Sequence, residues 1–333
     1  GLPHGKKTKT GWSTNADVLE KLRYDAPIVA DVLRYRQYAK LKSTYVDGLL
    51  KVIDPDGRVR TSFQMTVTAT GRLSSTEPNL QNIPTRTELG SQLRRMFTAP
   101  EGCVLVDADY SQIELRLLAH IAGDTEMQAA FRSGEDFHTV TASRVFHVPP
   151  EEVTPEMRRR AKAVNFGIVY GISAFSLAQD IGVSVAEAKA YMERYFETYQ
   201  GVRQYMTNVV AKAEQDGYVQ TLMHRRRALP ELKSSNFNLR EFGKRVALNM
   251  PVQGAAADIM KLAMVRVHRR LKREGLRARL LMQVHDELIV ECPAAEQAQV
   301  EHLLTEEMEQ AVNLSVPLIA EAHSGKNWLA AKE

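Results

Sequence analysis

The sequence has few cysteines and no long apolar run. Its 333 residues include only two cysteines, Cys103 and Cys292, too few for a disulfide framework or a zinc ligand set. No apolar stretch approaches the roughly 18 residues that span a membrane, and no repeat, low-complexity tract or signal peptide is present. These absences predict a cytoplasmic protein without a membrane partner. Because the first residue is not methionine, we also expect a processed or truncated chain.

A strong excess of one charge is also missing, since the formal net charge is only +4. The basic residues are nevertheless clustered, at residues 6–9, 158–160, 224–227 and 268–279. Such clusters mark surfaces that bind nucleic acid or phosphate when they converge in space. Taken singly, each cluster is more simply a solvated face, so the charge pattern leaves both interpretations open.

Helical and strand patterns indicate more than one subdomain, as the length also does. Two helices are predicted between about residues 15 and 45, separated near Pro27. The Asp-Pro-Asp-Gly sequence at residues 54–57 predicts the turn of a strand hairpin. Residues 70–86, rich in Gly, Ser, Asn and Pro, predict a loop, and a loop of that length is usually functional or disordered.

The remaining chain places strands on both sides of a helical region. An apolar run predicts a strand that ends near residue 110 and leads into a helix. Residues 124–245 are helical in pattern almost throughout, with a helix start at Thr154 and Pro155. The last third predicts a helix over 255–273, strands flanking Asp286, a helix over 295–312 and a strand near Leu318. This order is typical of the α+β class.

Two aspartates stand where buried strands are predicted to end. Asp109 follows an apolar run at residues 104–106, and Asp286 lies between apolar runs at 280–284 and 288–290. One sheet edge would hold both carboxylates side by side, where they repel each other unless a cation lies between them. Mg²⁺ prefers such oxygen ligands and shares them with a substrate's phosphates. Read alone, each aspartate is equally well a turn or helix-cap residue.

Arg158, Lys162, Phe166 and Tyr170 recur at intervals of four in the helix that begins near Pro155. Each step overshoots a full turn by about 40°, so the four trace a slowly spiralling stripe. Two cations followed by two aromatic rings suit a bound nucleoside triphosphate. The spacing alone more readily indicates an amphipathic helix, with the rings in a core and the cations in solvent.

Five segments resemble, in order, motifs of the family A DNA polymerases, the polymerase portion of bacterial DNA polymerase I. The segments around Asp109, at residues 158–171 and around Asp286 are similar to motifs A, B and C, and residues 68–84 and 249–254 agree as well. The resemblance runs from about Leu19 to Glu333. It implies a right-hand polymerase fold with an antiparallel palm sheet, inserted helical fingers and a partial helical thumb.

The resemblance also implies boundaries. The thumb base would occupy residues 1–52, the palm 53–125 and 241–333, and the fingers 126–240. Since family members carry a longer helical thumb before this point and any nuclease domains further upstream, we expect a truncated polymerase without a proofreading exonuclease.

The resemblance assigns roles to residues. It implies that Asp109, Asp286 and the Tyr110 carbonyl bind two Mg²⁺ ions, with Mn²⁺ as a substitute, and that Glu287 and Lys162 complete the catalytic set. Glu114 would be a steric gate against a ribose 2′-OH, braced by Tyr170, the alternative being an exposed helical carboxylate. The expected dNTP contacts are Tyr110, Gln112, Glu114, His138, Arg158, Lys162, Phe166 and Tyr170. The expected DNA contacts are Lys40, Lys42, Ser43, Arg72, Asn79, Gln81, Asn82, Arg245, Asn249, Gln253 and His285. Asp107 is expected to be structural.

We therefore expect a monomeric, nucleoid-associated enzyme that adds dNTPs to a primer 3′-OH by two-metal phosphoryl transfer, in bacterial replication and repair. Three alternatives stay open. Glu114 argues against a related RNA polymerase, and the stripe is unexplained in a metal-dependent nuclease. A catalytically dead DNA-binding remnant would have no need to retain Asp109, Lys162, Tyr170 and Asp286.

Overall fold

The computed structural model describes residues 2–5, 7–85 and 87–332. Contacts divide the chain into a first unit, Gly1–Gln64 with Ser75–Met96, and a second unit, Met65–Ser74 with Phe97–Glu333. Lys6, which opens the first basic cluster, and Arg86, the predicted end of the loop, lie outside the described residues.

The first unit is mainly helical. Its elements are β1 (Lys7–Thr8), β2 (Gly11–Trp12), α1 (Ala16–Lys21), α2 (Pro27–Lys40), a π-helical turn (Leu41–Val46), α3 (Asp47–Leu50), β3 (Ser62–Gln64), β4 (Ser74–Thr76, with Ser74 in the second unit), α4 (Glu88–Ser91) and a 3₁₀ turn (Gln92–Met96). The two predicted helices are confirmed. The Asn15 side chain accepts from the Val18 N–H at 3.0 Å to start α1, and Pro27 occupies the first turn of α2.

The predicted hairpin around residues 54–57 is only partly correct. The turn forms, with the Gly57 N–H donating to the Asp54 carbonyl at 2.8 Å. The flanking strands do not, because pairing is limited to a single bridge between Ile53 and Val59. Most of this segment is exposed, so a longer hairpin would have no apolar face to bury. The predicted loop likewise contains the short strand β4.

The second unit is built on a four-stranded sheet. Its elements are β5 (Cys103–Tyr110), α5 (Ile113–Ala122), α6 (Thr125–Arg132), α7 (Phe137–Phe146), α8 (Pro155–Val169), α9 (Ala174–Ile181), α10 (Val185–Thr198), α11 (Gln200–Asp216), β6 (Tyr218–Gln220), β7 (Arg226–Ala228), α12 (Phe237–Arg273), β8 (Arg279–Val284), β9 (Glu287–Pro293), α13 (Gln297–Glu309) and β10 (Ala320–Gly325). The strand order is β10-β5-β9-β8, and every pairing in this sheet is antiparallel. The predicted α+β class and antiparallel sheet are confirmed.

Alternation along β5 separates two faces. The Tyr110 hydroxyl donates to the Met308 carbonyl of α13 at 2.6 Å, which identifies the face covered by that helix. Asp107 and Asp109 lie on the opposite face, where the Trp328 indole N–H donates to Asp107 at 3.2 Å. One face of β5 therefore carries the charged side chains, and the opposite face packs against α13.

The predicted helical region is confirmed with one correction. Side-chain caps start six of the helices that begin in this region, at Asp124, Asp136, Thr154, Ser173, Ser184 and Asn236. The segment after α11 is not helical but forms the hairpin of β6 and β7. Gly217 ends α11 with a left-handed φ of +77°, after which the β-prone pair Tyr218 and Val219 continues as a strand.

The helix predicted over 255–273 begins much earlier, since α12 spans Phe237–Arg273. Pro251 lies inside this helix. An interior proline costs about 3 kcal/mol, but its neighbours Met250 and Val252 are fully buried, and that packing offsets the cost. The strands flanking Asp286 and helix α13 are confirmed, and the last strand, β10, starts two residues after Leu318. Within the described residues, no helix is long and apolar enough to cross a membrane.

Candidate active site

Strand register gathers three carboxylates at one end of the sheet, those of Asp109, Asp286 and Glu287. Asp109 of β5 faces Glu287 of β9 in the register, and the Tyr110 N–H donates to the Asp286 carbonyl at 3.1 Å. Asp286 lies in the tight turn between β8 and β9, where His285 has a left-handed φ of +50°. The expected meeting of Asp109 and Asp286 thus follows from pairing between segments far apart in the chain.

Burial and mutual repulsion both act on these carboxylates. Burial raises the pKa of Asp286 to about 6; the Arg72 guanidinium opposes the rise, and the carboxylates of Glu114, Asp109 and Glu287 add to it. Burial and the neighbouring Glu287 also raise the pKa of Asp107. Such a cluster favours a bound cation.

Lys332 provides a cation that the sequence analysis did not identify. Its ammonium lies 2.9 Å from Asp109 Oδ2 and 3.6 Å from Asp107 Oδ1, and it also bonds Glu287. Burial opposes the charge on Lys332, but the three carboxylates raise its pKa. The sequence feature that could have drawn attention to this segment is Trp328, one of two tryptophans and four residues before Lys332. In the structure Trp328 is 1% exposed and anchors the segment.

The residues present fit the expected magnesium ions. No group of three or more His, Cys, Asp or Glu side chains in the described chain is arranged to hold a metal alone. The predicted ligands are instead two carboxylates and the Tyr110 carbonyl, which suits Mg²⁺, an ion that usually binds one or two carboxylates and keeps waters or substrate phosphates as its other ligands. The donors are all hard oxygens, and the pKa of Asp286 is raised, first by burial and then by the neighbouring carboxylates, so a cation beside it would stabilise its charged form.

Glu114, at the start of α5, is buried beside these carboxylates. It is 5% exposed and accepts hydrogen bonds from the Tyr170 hydroxyl at 2.7 Å and from Arg72 Nη2 at 2.6 Å. The predicted Tyr170 brace is therefore present, and the alternative of an exposed helical carboxylate is wrong. Arg72, expected to contact DNA, also lies 3.9 Å from Asp286 Oδ1. The sequence did not predict the hydrogen bond between Arg72 and Glu114, because residues 70–86 have no periodicity that would indicate where their side chains point.

The α8 stripe lies on an accessible face. The buried side of α8 is formed by Ala161, Val164 and Ile168. On the stripe, Arg158 and Lys162 are exposed, Phe166 is half-buried and Tyr170 is 41% exposed. Phe166 packs against the edge of the core, as the amphipathic alternative expects, whereas Tyr170 lies outside the core. Arg158 forms an ion pair with Asp136, at 2.7 Å.

His138 contacts the stripe, with its ring centroid 5.7 Å from that of Phe166, and Gln112 precedes α5. His138 is 3% exposed; burial lowers its pKa to about 4, and its Nδ1 is 2.9 Å from Asn165 Nδ2. Gln112 precedes α5 in a left-handed conformation, and its Oε1 is buried without a partner among the described residues. Because the Tyr110 ring is buried against α13, this residue can offer substrate only its main chain.

Three expected DNA contacts recur at intervals of four along α12. Arg245 is exposed, and Asn249 and Gln253 are half-buried. The Asn249 amide lies 3.5 Å from the Tyr170 carbonyl at the end of α8, so this row adjoins the stripe. Gln253 lies in the interior of α12.

The expected contacts of the first unit lie in two places. Lys40 ends α2, and Lys42 and Ser43 are exposed in the π-helical turn. Asn79, Gln81 and Asn82 belong to the predicted loop, where Gln81 is buried and the other two are exposed.

Two of the basic clusters contain arginines that are paired within the protein. Arg225 is paired with the buried Asp258 at 2.6 Å and packs closely against Gly71, whose φ is +80°. Arg270 pairs with three glutamates of the second unit. Arg225 therefore supports the backbone next to Arg72, and neither arginine is free for phosphate.

The chain was compared with known proteins. A family model described as DNA polymerase family A matches residues 1–330. DNA polymerase I of Bacillus caldotenax is 57% identical over 99% of this chain, and that of Bacillus subtilis is 56% identical over 100%. The chain spans 38% of the length of each of these relatives. A solved structure described as the POL domain of Pol1 from M. smegmatis, in complex with DNA primer-template and dNTP, matches all of this chain with a TM-score of 0.94 and 50% identity, and 59% of that structure's chain is covered.

Proposed function

This chain belongs to DNA polymerase family A, and from that premise we propose that it extends a primer 3′-OH with deoxynucleotides in the order set by a template strand. The observation that carries the proposal is the hydrogen bond from Tyr170 to Glu114. It joins the two halves of the site, because Tyr170 ends the α8 stripe and Glu114 lies beside the carboxylates of Asp109 and Asp286. A nuclease would need the carboxylates but would have no use for the stripe.

In this proposal the carboxylates neutralise charge during phosphoryl transfer. Asp109, Asp286 and the Tyr110 carbonyl would hold two divalent ions, Mg²⁺ or Mn²⁺ in its place, which supply Lewis acidity and charge neutralisation at the attacking and leaving oxygens. Glu287, which Lys332 contacts, would reach the ions through water. Asp109 has a side chain 46% exposed, so its carboxylate is accessible to a substrate.

The incoming nucleotide would lie along α8. Arg158 and Lys162 would bind the triphosphate, with Arg158 exchanging its Asp136 partner for phosphate oxygens. Phe166 would pack on the sugar and base. His138, buried behind these residues, and the main chain near Gln112 would complete the contacts.

The primer and template would be recognised by shape. Arg72 and Gln253 would donate to the minor-groove acceptors that every correct base pair presents at similar places. Arg245, Asn249 and His285 would support them, together with the contacts of the first unit, Lys40, Lys42, Ser43, Asn79, Gln81 and Asn82. The M. smegmatis structure, described as a complex with primer-template and dNTP, supports the binding of these ligands by this chain.

The subdomains follow the same proposal. Residues 1–52 would form the thumb base, 53–125 and 241–333 the palm, and 126–240 the fingers. Action as a monomer, nucleoid association in the cytoplasm, and roles in bacterial replication and repair stay predictions.

Primer extension by Asp109→Asn and Asp286→Asn tests the proposal. Each substitution should reduce extension by about 10³-fold or more, since metal-bound charge is worth several kcal/mol in the transition state. Primer-template affinity, measured by fluorescence anisotropy, should change less than about threefold. Asp180→Asn, at an exposed position of α9, is the matched control and should extend like the parent.

The extension and binding measurements also distinguish the alternative functions. Activity within tenfold of the parent removes the substituted residue from the site. Shortening of the primer by the parent protein would indicate a nuclease, and efficient use of rNTPs an RNA polymerase. Binding without any extension would indicate an inactive remnant.

A further inference from the structure

Four buried polar side chains form a continuous hydrogen-bonded chain in the second unit. They are Tyr199, Thr141, Asn165 and His138, each 3% exposed or less. The Tyr199 hydroxyl lies 3.1 Å from Thr141 Oγ1, which lies 3.3 Å from Asn165 Oδ1. Asn165 Nδ2 lies 2.9 Å from His138 Nδ1. Only the last member, His138, has a role in the function proposed above.

The proton of Tyr199 sets the direction of these bonds. Burial raises the pKa of this hydroxyl to about 12, so it carries a proton at neutral pH. Among the residues that the structure describes, its one hydrogen-bond partner is Thr141 Oγ1, so Tyr199 donates to Thr141. The Thr141 hydroxyl then donates its own proton to Asn165 Oδ1.

The orientation of the Asn165 amide follows. Its oxygen faces Thr141, so its nitrogen faces His138 and donates to Nδ1. The reverse direction is self-consistent for Thr141, Asn165 and His138 but leaves the Tyr199 proton buried without an acceptor, which is costly. Both orientations of the Asn165 amide satisfy Thr141 and His138, and the Tyr199 hydroxyl determines which of the two is adopted.

His138 must then carry its proton on the other ring nitrogen. Burial lowers the pKa of His138 to about 4; Asp136 opposes the shift, and the cations Lys162 and Arg158 reinforce it. The ring is therefore neutral at pH 7 and has a single N–H. Since Nδ1 accepts from Asn165, the proton is on Nε2.

We propose that Asn165 is a positioning residue that holds His138 as the Nε2–H tautomer, so that the ring offers a hydrogen-bond donor to a phosphate oxygen of the incoming nucleotide. This step rests on the proposed function, which lays the triphosphate along α8 beside Arg158 and Lys162. Phosphate oxygens accept and do not donate. The opposite tautomer would turn a lone pair toward them.

The tautomer is tested by NMR on the full chain without nucleotide. Two-bond ¹⁵N–¹H correlation spectra of ring-labelled histidines distinguish Nε2–H from Nδ1–H, and loss of one set of signals in His138→Gln assigns the residue. The parent should show Nε2–H. Asn165→Asp places an acceptor against Nδ1 and should move the proton to that nitrogen.

Tyr199→Phe provides a second variant that keeps the shape of the ring. It removes the hydroxyl that sets the direction, so His138 should show a mixture of tautomers. Tyr195→Phe is the matched control. Tyr195 is fully buried in α10, one turn earlier, and its hydroxyl has no hydrogen-bond partner among the described residues. This control should leave the His138 signals unchanged.

Nucleotide affinity tests the consequence. In a complex with dideoxy-terminated primer-template, Asn165→Asp should weaken dNTP binding by roughly tenfold or more, as expected for loss of one hydrogen bond to a charged group. In the His138→Gln background the same substitution should have little further effect. Tyr195→Phe should bind dNTP like the parent.

Opposite results overturn the proposal at identifiable steps. An Nδ1–H signal in the parent, or unchanged spectra in both Asn165→Asp and Tyr199→Phe, overturns the tautomer assignment. A tautomer shift with unchanged dNTP affinity overturns the role in nucleotide binding. If the parent extends no primer, the proposed function fails, while the spectra still decide the tautomer.

Discussion

At the scale of single residues, burial divides the carboxylates of the site into two kinds. Asp107 is 2% exposed and accepts a hydrogen bond from the Trp328 indole, so its carboxylate is engaged in a contact within the fold. The Asp109 side chain, two residues later on the same face, is 46% exposed. This difference supports a structural role for Asp107 and a chemical role for Asp109.

The bonds around Glu114 predict its effect on sugar choice. Glu114→Ala removes the carboxylate stem that Tyr170 and Arg72 hold in place. Discrimination against rNTPs should then fall to about 10²-fold or less, because a pocket that merely tolerates an added hydroxyl rejects it no better than this. Single-nucleotide incorporation kinetics with matched dNTP and rNTP pairs measure the ratio. Glu114→Gln keeps the stem and is the control, which should stay close to the parent. An unchanged ratio in Glu114→Ala would show that Glu114 is not the gate.

The position of Lys332 predicts a stability effect that depends on divalent ions. With a chelator present, Lys332→Met should lose about 1–2 kcal/mol of unfolding free energy. Breaking a fully buried pair costs about 3–5 kcal/mol, but the Lys332 side chain is 32% exposed and partly screened. Mg²⁺ should reduce the deficit, because it would neutralise the same carboxylates.

Urea denaturation with and without Mg²⁺ measures this difference. Lys326→Met, at an exposed position just after β10, removes the same charge and should be close to neutral in both conditions. A deficit of equal size with and without Mg²⁺ would argue against Lys332 and the ion sharing one set of carboxylates.

At the scale of secondary-structure elements, the helices around the stripe depend on caps that also hold functional side chains. Asp136 caps α7 by accepting from the Thr139 N–H at 3.1 Å and pairs with Arg158 of α8. Burial alone would raise the pKa of Asp136, but the hydrogen bonds from Arg158 and Thr139 hold it at about 2. One carboxylate thus starts one helix and orients a cation on the next.

This pair predicts a pH-dependent difference between variants. Asp136→Asn keeps a capping oxygen but removes the charge, and should cost about 0.5–1 kcal/mol at pH 7 because the side chain is one-third exposed. The folded pKa lies below the unfolded value, so this contribution is present above about pH 4 and is lost as the pH falls toward 2. Asp136→Ala also loses the cap, at about 1 kcal/mol more, independently of the charge.

Urea unfolding of the parent and both variants between pH 7 and pH 3 checks the sign. Asp180→Asn makes the same charge change at an exposed site and should show no such trend. If the gap between the parent and Asp136→Asn widened as the pH fell, the ion pair would not be the cause.

At the scale of the whole molecule, the two units differ in how much apolar surface they bury. One continuous core in the second unit includes the sheet and the helices, from Val106 of β5 through Ile259 of α12 to Leu304 of α13. The buried apolar residues of the first unit are few: Leu19, Val29, Tyr45, Leu49, Leu80, Ile83 and Leu93. This unit also leaves large side chains in solvent, such as Tyr24 between α1 and α2 and Tyr35 of α2.

Amide hydrogen exchange should therefore proceed at different rates in the two units. Amides of β5, β9 and the middle of α12 should exchange most slowly, because opening them exposes the large core, whereas α1 and α2 should exchange by local opening. Peptide-resolved mass spectrometry at neutral pH measures both in one sample, so each unit is the internal control of the other. Equal protection of α2 and β5 would contradict the expectation.

The sequence by itself determined the features that repeat over short distances. The strand before Asp109, the strands around Asp286 and the capped start of α8 follow from apolar runs and local capping residues, and the stripe follows from helical periodicity. Local signals were wrong where packing overrode them. Helix α12 begins well before the predicted start at residue 255, and the residues after Gly217 pair as strands.

Only the tertiary structure decided which charges and protons face each other. Arg72 and Glu114 are 42 residues apart in sequence, and Lys332 and Asp109 are 223 apart. No periodicity links residues at such separations, because their contacts depend on how the strands align. The contacts also depend on the hydrogen-bond and charge partners that Asp107, Glu114 and His138 need once they are buried. The residue types at the site can be predicted from the sequence, whereas their partners and ionisation follow from packing.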